Sequence, residues 1–584
     1  MDFSRSEEAL LKLGPKYIPN NPQLAHSRMS GEIEVVEQKL KKISAEHGWI
    51  LPRERVEVFT GSLEKILTEY HDGQPSSSGQ LKEVHQLRRK LSTTQIVLRK
   101  TDKSKVFHLD GLDHYRMKAQ EYLMHTNAYQ DLGKTNPLES LVRRTNDLLF
   151  GLWISKHITQ KQYLTMKVKE EEVELAHLYF LPKAHKPKTP LRPIMSGLKS
   201  PTIAISKWLD GLLRPLFNRL SFETTIANGV QLIKQIEKWS EDHLTSTTSF
   251  VTMDVTDLYT MIPQEGGVTA IKRLMEACGL KQIDGVERGI ILILTRFVMT
   301  NNYFFFDGSY YKQIKGGAMG SPLTLTVANA YMYFVEQPIT KWAKRTCSVY
   351  YRYIDDLFIM SNVHVDTLKG LTKFWNKLDS NIIFSESIGL TAEYLDVRLE
   401  NREGRLVTEV FHKPSHEPYF LPFTSVHVQH IKKNIPFAAL VRAIRYSSTY
   451  VAFKREESHI CMSLLLNGYP LNFILRQLER VPQTFQCSVL KRDNYPNIRK
   501  VMLAAGENSG KKAKIDFEVN VLCHFSFCKG MHDFSTRFHR LWDECFVDTA
   551  ISKMKPIVGF KKLDNLQDYL VRKKPEKSLL KINV

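Results

Sequence analysis

Cysteine is scarce and unpatterned in this 584-residue chain: Cys278, Cys347, Cys461, Cys487, Cys523, Cys528 and Cys545 are odd in number and irregularly spaced. That excludes a disulfide framework and points to a reducing compartment. Long apolar runs are missing too. A membrane-spanning helix needs roughly 18 consecutive apolar residues, and Ile290-Ile291-Leu292-Ile293-Leu294 is soon broken by Arg296. The start, Met1-Asp2-Phe3-Ser4-Arg5-Ser6-Glu7-Glu8, lacks the basic-then-apolar pattern of a secretory signal. The expectation is an intracellular protein, nuclear or cytoplasmic, not secreted and without a membrane partner. No internal repeat is present. Acidic residues are in deficit, 62 against 82 Lys and Arg, which leaves a net charge of +20.

That excess and a pI near 9.4 favour a polyanionic partner, nucleic acid before an anionic membrane surface. A hydrophobic share of 42% with 10% aromatics is ample for packed cores and excludes a disordered chain. The length suggests roughly three to five domain-sized units of about 150 residues.

Residues 1–72 read as charged helices, and Gly73-Gln74-Pro75-Ser76-Ser77-Ser78-Gly79-Gln80 reads as a linker. A basic segment around Leu98-Arg99-Lys100-Thr101-Asp102-Lys103-Ser104-Lys105 follows, then helical residues 113–168 and a proline-punctuated basic stretch, 181–202. From residue 250 strands alternate with helices. Asp307-Gly308 between aromatic runs is a hairpin signal. The loop Gly316-Gly317-Ala318-Met319-Gly320-Ser321-Pro322 leads into an apolar helix reaching about Lys344. Helix 365–379 and strands around Ile383, Leu395 and Val407 come next, and from about residue 428 the chain reads as mostly helices.

The stretch Tyr350-Tyr351-Arg352-Tyr353-Ile354-Asp355-Asp356-Leu357-Phe358-Ile359-Met360 reads as strand, tight turn, strand, with two carboxylates at the tip. Taken alone, Asp-Asp could simply make the turn. A second acidic strand end, Phe250-Val251-Thr252-Met253-Asp254-Val255-Thr256-Asp257, changes that reading. Together the two supply the carboxylates of a two-metal phosphoryl-transfer site, whose ions lie roughly 3.5–4 Å apart. Strand ends so placed suit an α+β sheet with helices on one face.

Asp254-Val255-Thr256-Asp257-Leu258-Tyr259, Met319-Gly320-Ser321-Pro322-Leu323 and Tyr353-Ile354-Asp355-Asp356 resemble three palm motifs of reverse transcriptases, in order. Leu181-Pro182-Lys183-Ala184-His185-Lys186 and Pro190-Leu191-Arg192-Pro193-Ile194 resemble the fingers motif. Further features resemble Penelope-like retroelements, relatives of telomerase reverse transcriptase. They are Leu13-Gly14-Pro15-Lys16-Tyr17-Ile18-Pro19, the Asp254 motif ending in Ile262-Pro263, and Tyr394-Leu395-Asp396-Val397 leading to His412-Lys413-Pro414-Ser415. Asn467-Gly468-Tyr469-Pro470 and Asn565-Leu566-Gln567-Asp568-Tyr569-Leu570-Val571-Arg572 complete the set. No Gly-Ile-Tyr followed by Tyr-Ile-Gly is present, so the chain looks like a member without the GIY-YIG endonuclease, or a fragment lacking it.

The resemblance implies an α+β right-hand polymerase fold: helical region 1–90, fingers 91–245, palm 246–400, and thumb with basic helices 401–584. It implies an RNA-directed DNA polymerase that uses two Mg²⁺ ions, with Mn²⁺ as a substitute. Its partners would be an RNA template, a DNA primer or exposed DNA 3′ end, and dNTPs. Asp254 and Asp355 would bridge the ions, with the Val255 carbonyl as a further ligand and Asp356 sharing the site less directly. Tyr259 would crowd a ribose 2′-hydroxyl. Lys183 and Arg192 would meet the triphosphate. Gly320 would let the backbone approach a nucleotide, or only serve the helix start at Pro322. Lys186, Ser321, Pro322 and Lys413 would contact template or primer, with Lys186 equally readable as solvated. Basic residues such as Lys432-Lys433, Arg442, Arg445 and Lys573-Lys574 suit phosphate tracking, although any one is more often solvated. Cys523, His524, Cys528, His532, His539 and Cys545 invite zinc, but their spacing matches no standard finger and favours ordinary packing. The rival readings are a non-catalytic nucleic-acid-binding remnant and a template-independent terminal transferase.

Overall fold

The computed structural model describes residues 2–73, 78–103, 105–414, 416–505, 516, 518–572 and 574–581. Residues 74–77 of the expected linker, Ser104 of the basic segment, Ser415 of the His412 motif and Lys573 of the basic tail lie outside the described residues. The chain is α+β and divides into two compact units, each discontinuous in sequence. Among the described residues no helix is long and apolar enough to cross a membrane.

One unit comprises Met1–Gly111, His416–Arg445 and Tyr450–Val571. Its helix Pro22–His47 begins where the Asn21 side chain accepts the Leu24 N–H and Pro22 presets the first turn, and it ends at Gly48 with φ 65°. It packs with helices Arg53–Asp72 and Phe534–Phe546 around Phe59, Phe525, Phe538, Trp542 and Phe546. Helix Phe534–Phe546 is a crossover between two parallel strands, Asn520–Ser526 and Lys555–Lys561. This βαβ element supplies the strands in the mostly helical run expected after residue 428. Its signal is the period-two burial of Val521, Cys523 and Phe525.

Cys523, Cys528 and Cys545 belong to that same core. Burial pushes the Cys523 thiol up to about 12 and the Cys528 thiol up to about 11. Metal ligation needs thiolates, and among the described residues the 523–545 cysteines and histidines assemble no ligand set. The three cysteines are packing residues. A second core in this unit gathers Leu440 and Ile444 from helix Gln429–Tyr446, Phe453 and Leu464 from Tyr450–Leu466, Ile474 from Leu471–Thr484 and Tyr495 from Tyr495–Ala504, with Tyr469 from the turn after Leu466.

The other unit comprises Leu112–Ser415, Tyr446–Thr449 and Arg572–Val584. It holds a five-stranded sheet in the order Tyr129–Gly133, Ser309–Gln313, Tyr303–Phe306, Ala176–Pro182, Leu191–Ser196. One expectation is corrected here. Residues 113–168 are not wholly helical, because Tyr129–Gly133 is an edge strand paired with Ser309–Gln313. The proline-punctuated stretch is an antiparallel strand pair with Leu181 opposite Arg192; Pro182 and Leu191 pair at its open end, next to the loop 183–190. The Asp307-Gly308 hairpin is as expected, with both residues at positive φ, 43° and 89°.

A second sheet has four antiparallel strands, in the order Val349–Tyr353, Asp356–Ser361, Ser249–Val255, Phe384–Gly389. Val251, Met253, Leu357 and Ile359 project from it onto Ala328, Met332, Ile339, Ala343, Leu368 and Trp375. Those residues come from helices Pro322–Val335, Gln337–Arg345 and Val365–Trp375. The apolar run expected as one helix to Lys344 is therefore two, divided at Glu336, with Pro338 in the first turn of the second. A three-stranded sheet, Thr391–Tyr394, Val397–Arg402 and Arg405–Val410, follows, and Leu395 and Asp396 form its first turn at φ 48° and 62°.

Candidate active site

The four-stranded sheet brings the two acidic strand ends side by side. Asp254 pairs directly with Asp356 in the antiparallel register, and Ser385 flanks Asp254 on the other side. Side chains directly opposite in such a pair have Cβ atoms about 4.5–5.5 Å apart. Asp355 occupies the hairpin turn one residue before Asp356, and its carbonyl accepts the Val255 N–H at 3.0 Å. Strand ends about 100 residues apart in sequence are thus bonded through their main chains.

Asp254 is exposed and Asp355 and Asp356 are half-buried. Among the described residues the three carboxylates form no group whose ligand atoms all lie within 4.8 Å of one another, and Asp254 stands opposite Asp356 in the strand register. An all-oxygen donor set open to solvent fits a hard cation such as Mg²⁺, which keeps several waters and takes few protein carboxylates. The site can gather divalent cations and hold phosphoryl oxygens against them.

Tyr259, one turn beyond Asp254, joins this group. Burial pushes its phenol up to about 12, with Asp355 raising it further and Arg192 opposing. Tyr259, Asp355 and Arg192 therefore share one locality, with Arg192 on strand Leu191–Ser196. Lys183 and Lys186 lie in the loop after Ala176–Pro182, where the Lys183 N–H donates to the Pro190 carbonyl and the Lys186 N–H to the Lys183 carbonyl. Lys413 lies on the segment following Arg405–Val410, beyond Phe411, whose N–H donates to the Asp396 carbonyl.

The glycine loop is shaped by protein backbone. A Cβ on Gly316, at φ 70°, would lie 2.2 Å from the Tyr259 carbonyl. The Gly316 and Gly317 N–H groups donate to the Ile262 and Tyr259 carbonyls at 2.9 Å each. A Cβ on Gly320, at φ 137°, would lie 2.2 Å from the Met195 carbonyl, beside the bond from the Met195 N–H to the Met319 carbonyl at 2.9 Å. The loop so links strand Leu191–Ser196, which carries Arg192, to the Tyr259 turn. We predict that Gly320→Ala lowers stability by about 1–3 kcal/mol through backbone strain alone. Urea unfolding measures it, and an unchanged midpoint would contradict this packing. Ser321 Oγ lies 2.7 Å from Ser206 Oγ, which accepts the Leu323 N–H at 3.0 Å, so a serine from helix Ile203–Leu220 caps the helix that Pro322 begins.

Sequence reasoning missed the group that holds the acidic turn. Arg352 and Glu336 are both 0% exposed and form an ion pair through Arg352 Nε. The Tyr350 hydroxyl donates to the same carboxylate oxygen at 2.9 Å. Arg352 Nη1 donates to the Ile354 carbonyl at 2.9 Å and to Asn329 Oδ1 at 2.7 Å. Its main chain is bonded on both sides, N–H to the Thr224 carbonyl and carbonyl from the Ile226 N–H. The Ile354 turn residue, at φ 58°, is thus fixed by a fully buried guanidinium. A positive charge at an inward-facing position of an otherwise aromatic strand was the available signal. Tyr394 adds a second support, its hydroxyl donating to the Asp356 carbonyl at 2.7 Å.

The four antiparallel strands carry carboxylates at their ends and are backed by helices on one face, the arrangement that the sequence resemblance leads one to expect of a polymerase palm. Residues 419–479 match the Animal helix-turn-helix domain family. No curated protein matches the chain. Among solved structures it is similar to the telomerase of Candida albicans in complex with a TWJ fragment of telomeric RNA, at TM-score 0.48 and 9% identity over 80% of each chain. It is also similar to apo telomerase from Candida tropicalis, at TM-score 0.40 and 9% identity over 77% of this chain and 78% of that one. The RNA-dependent RNA polymerase of a human picorbirnavirus is similar at TM-score 0.38 and 10% identity, over 76% of this chain and 92% of that one.

Proposed function

We propose that this chain is an RNA-directed DNA polymerase of the Penelope-like type, extending a primer 3′-hydroxyl with dNTPs along an RNA template. The observation that carries the reading is the register of Asp254 opposite Asp356, with Asp355 at the turn beside Tyr259 and Arg192. Bound Mg²⁺ would lower the pKa of the primer hydroxyl and steady the leaving pyrophosphate. Asp254, Asp355 and Asp356, with the Val255 carbonyl, would hold the metals. Arg192 would neutralise charge on the triphosphate, and Tyr259 would meet the sugar of the incoming nucleotide.

The half-buried Tyr259 gives a second prediction. Tyr259→Ala removes the ring that would crowd a 2′-hydroxyl, so ribonucleotide incorporation relative to deoxyribonucleotide should rise by about 10-fold or more, roughly 1.4 kcal/mol of discrimination. Single-nucleotide addition with dNTP and rNTP in competition measures it, and unchanged selectivity would remove Tyr259 from the role. The reading as a whole is tested by primer extension with purified protein on RNA and DNA templates of the same sequence, with dNTPs and Mg²⁺. Extension on the RNA template with dNTPs supports it; extension only with rNTPs would make the chain an RNA-synthesising polymerase instead.

A further inference from the structure

Two motifs that the polymerase chemistry leaves unused, 13–19 and 565–572, meet within the first unit. The Tyr17 carbonyl accepts the Leu566 N–H at 2.9 Å and the Pro15 carbonyl accepts the Gln567 N–H at 3.1 Å. On the other side the Ile18 N–H donates to Ser425 Oγ at 2.8 Å, and the Ile18 carbonyl accepts the Val426 N–H at 2.9 Å. Lys16 is so fixed between the segments that carry His427 and Lys562. His427 Nδ1 lies 3.1 Å from the same Ser425 hydroxyl.

The ring of His427 is held neutral. Burial lowers it to about 4, and Lys432, Lys562 and Lys16 each push in the same direction. Lys432 is only 9% exposed. Its ammonium lies 5.0 Å from the centre of the Phe423 ring, and the nearest acting charge is another cation, Lys529. Among the described residues no carboxylate lies within ion-pair distance of Lys432. Lys529 is placed by its N–H bond to Asn20 Oδ1 at 3.2 Å. Lys562 makes an exposed pair with Asp568 at 3.7 Å. A buried ammonium with no counter-charge is costly, and these four lysines come from four separate stretches of chain. Lys16, Lys432 and Lys529 have no carboxylate partner among the described residues, and a run of phosphates would supply the missing negative charge.

We propose that Lys432, with Lys16, Lys529 and Lys562 around His427, binds the phosphodiester backbone of a nucleic-acid strand. The inference rests on the nucleic-acid reading above but not on catalysis: this site would hold a strand in a polymerase whose Asp355 had been removed. Neutral His427 adds a donor or acceptor for a phosphate or a ribose hydroxyl.

The test is fluorescence anisotropy of the full chain with labelled single-stranded RNA and DNA of one 20-nucleotide sequence (a length of roughly the span one protein of this size can cover), at several salt concentrations. Lys432→Met keeps the buried methylenes and removes the charge, and Lys529→Gln is an exposed change that keeps the test valid if K432M folds poorly. Each variant should bind several-fold more weakly, with a salt slope shallower by about 0.7 for each phosphate no longer neutralised. Weaker binding of RNA alone assigns the site to RNA, and weaker binding of both strands assigns it to the shared backbone; either supports the proposal. Wild-type affinity and slope in both lysine variants would overturn it, while leaving the polymerase reading intact.

Discussion

Asp355→Ala should abolish nucleotide addition while leaving the protein folded. The residue sits in the hairpin turn, and what it gives the fold is its main-chain carbonyl, bonded to the Val255 N–H, which alanine retains. What it gives the site is a carboxylate beside Tyr259 and Arg192. Removing one metal-holding carboxylate from a two-metal centre should cost on the order of 4 kcal/mol of transition-state stabilisation, or about 10³-fold in rate. Asp257→Asn is the matched control. Asp257 lies near the same strand end but at φ 45°, a left-handed turn position that asparagine also tolerates. Its carbonyl accepts the Thr260 N–H, a main-chain role that the change preserves. Extension rates for the two variants, with matched thermal melts, separate a metal-holding carboxylate from a turn residue; equal, near-wild-type rates would contradict the assignment.

Arg352→Met should lower stability by about 3–5 kcal/mol, the cost of leaving one partner of a buried pair alone. Glu336 would keep its bond from the Tyr350 hydroxyl and lose the guanidinium, in a place where its Oε1 already has no hydrogen-bond partner. Burial pushes the Glu336 carboxyl above its usual range, and Arg352 is the main opposing influence. The sign of the pH dependence follows. In Arg352→Met the folded carboxyl has a raised pKa, so its proton is bound more tightly than in the unfolded chain. Stability is then fullest below the ordinary Glu pKa of about 4.3 and is lost as pH rises through the raised value. The deficit against the wild type should narrow in acid and widen toward neutrality. Arg352→Met combined with Glu336→Leu should recover part of the loss, since replacing both partners removes the stranded charge. Urea unfolding at several pH values reads all three results, and a pH-independent deficit would contradict the pairing. Lysine at position 352 could not reproduce the forked donation to Glu336, Asn329 and the Ile354 carbonyl.

The acidic strand ends of the candidate site are legible in the sequence because their signals are local. Carboxylates interrupting β-branched and aromatic runs mark two strand ends, and Asp307-Gly308 marks its own hairpin. The register that sets Asp254 opposite Asp356 is not legible, because pairing between strands about 100 residues apart depends on the whole sheet. Arg192, flanked by prolines, carries no strand signal of its own; it lies on a strand because Leu181 pairs with it across a short antiparallel ladder. Gly320 suggests room for a ligand, and the structure supplies a nearer reason in the Met195 carbonyl. The βαβ element from Asn520 to Lys561 is hidden because Cys523, His524 and Cys528 suggest ligands or helix packing. The alternating burial of Val521, Cys523 and Phe525, with His524 exposed between them, belongs to a strand. Ser206 and Arg352 carry no motif at all; their importance is tertiary.

Single-nucleotide addition on four primer–templates that differ only in the first templating RNA base tests the central claim most directly. The account predicts that the deoxynucleotide added follows the template base in each case, requires Mg²⁺ or Mn²⁺, and disappears in Asp355→Ala. Addition that ignores the template would make the chain a terminal transferase. No addition by folded protein that still binds primer–template would leave a nucleic-acid-binding remnant. Either result would contradict the account.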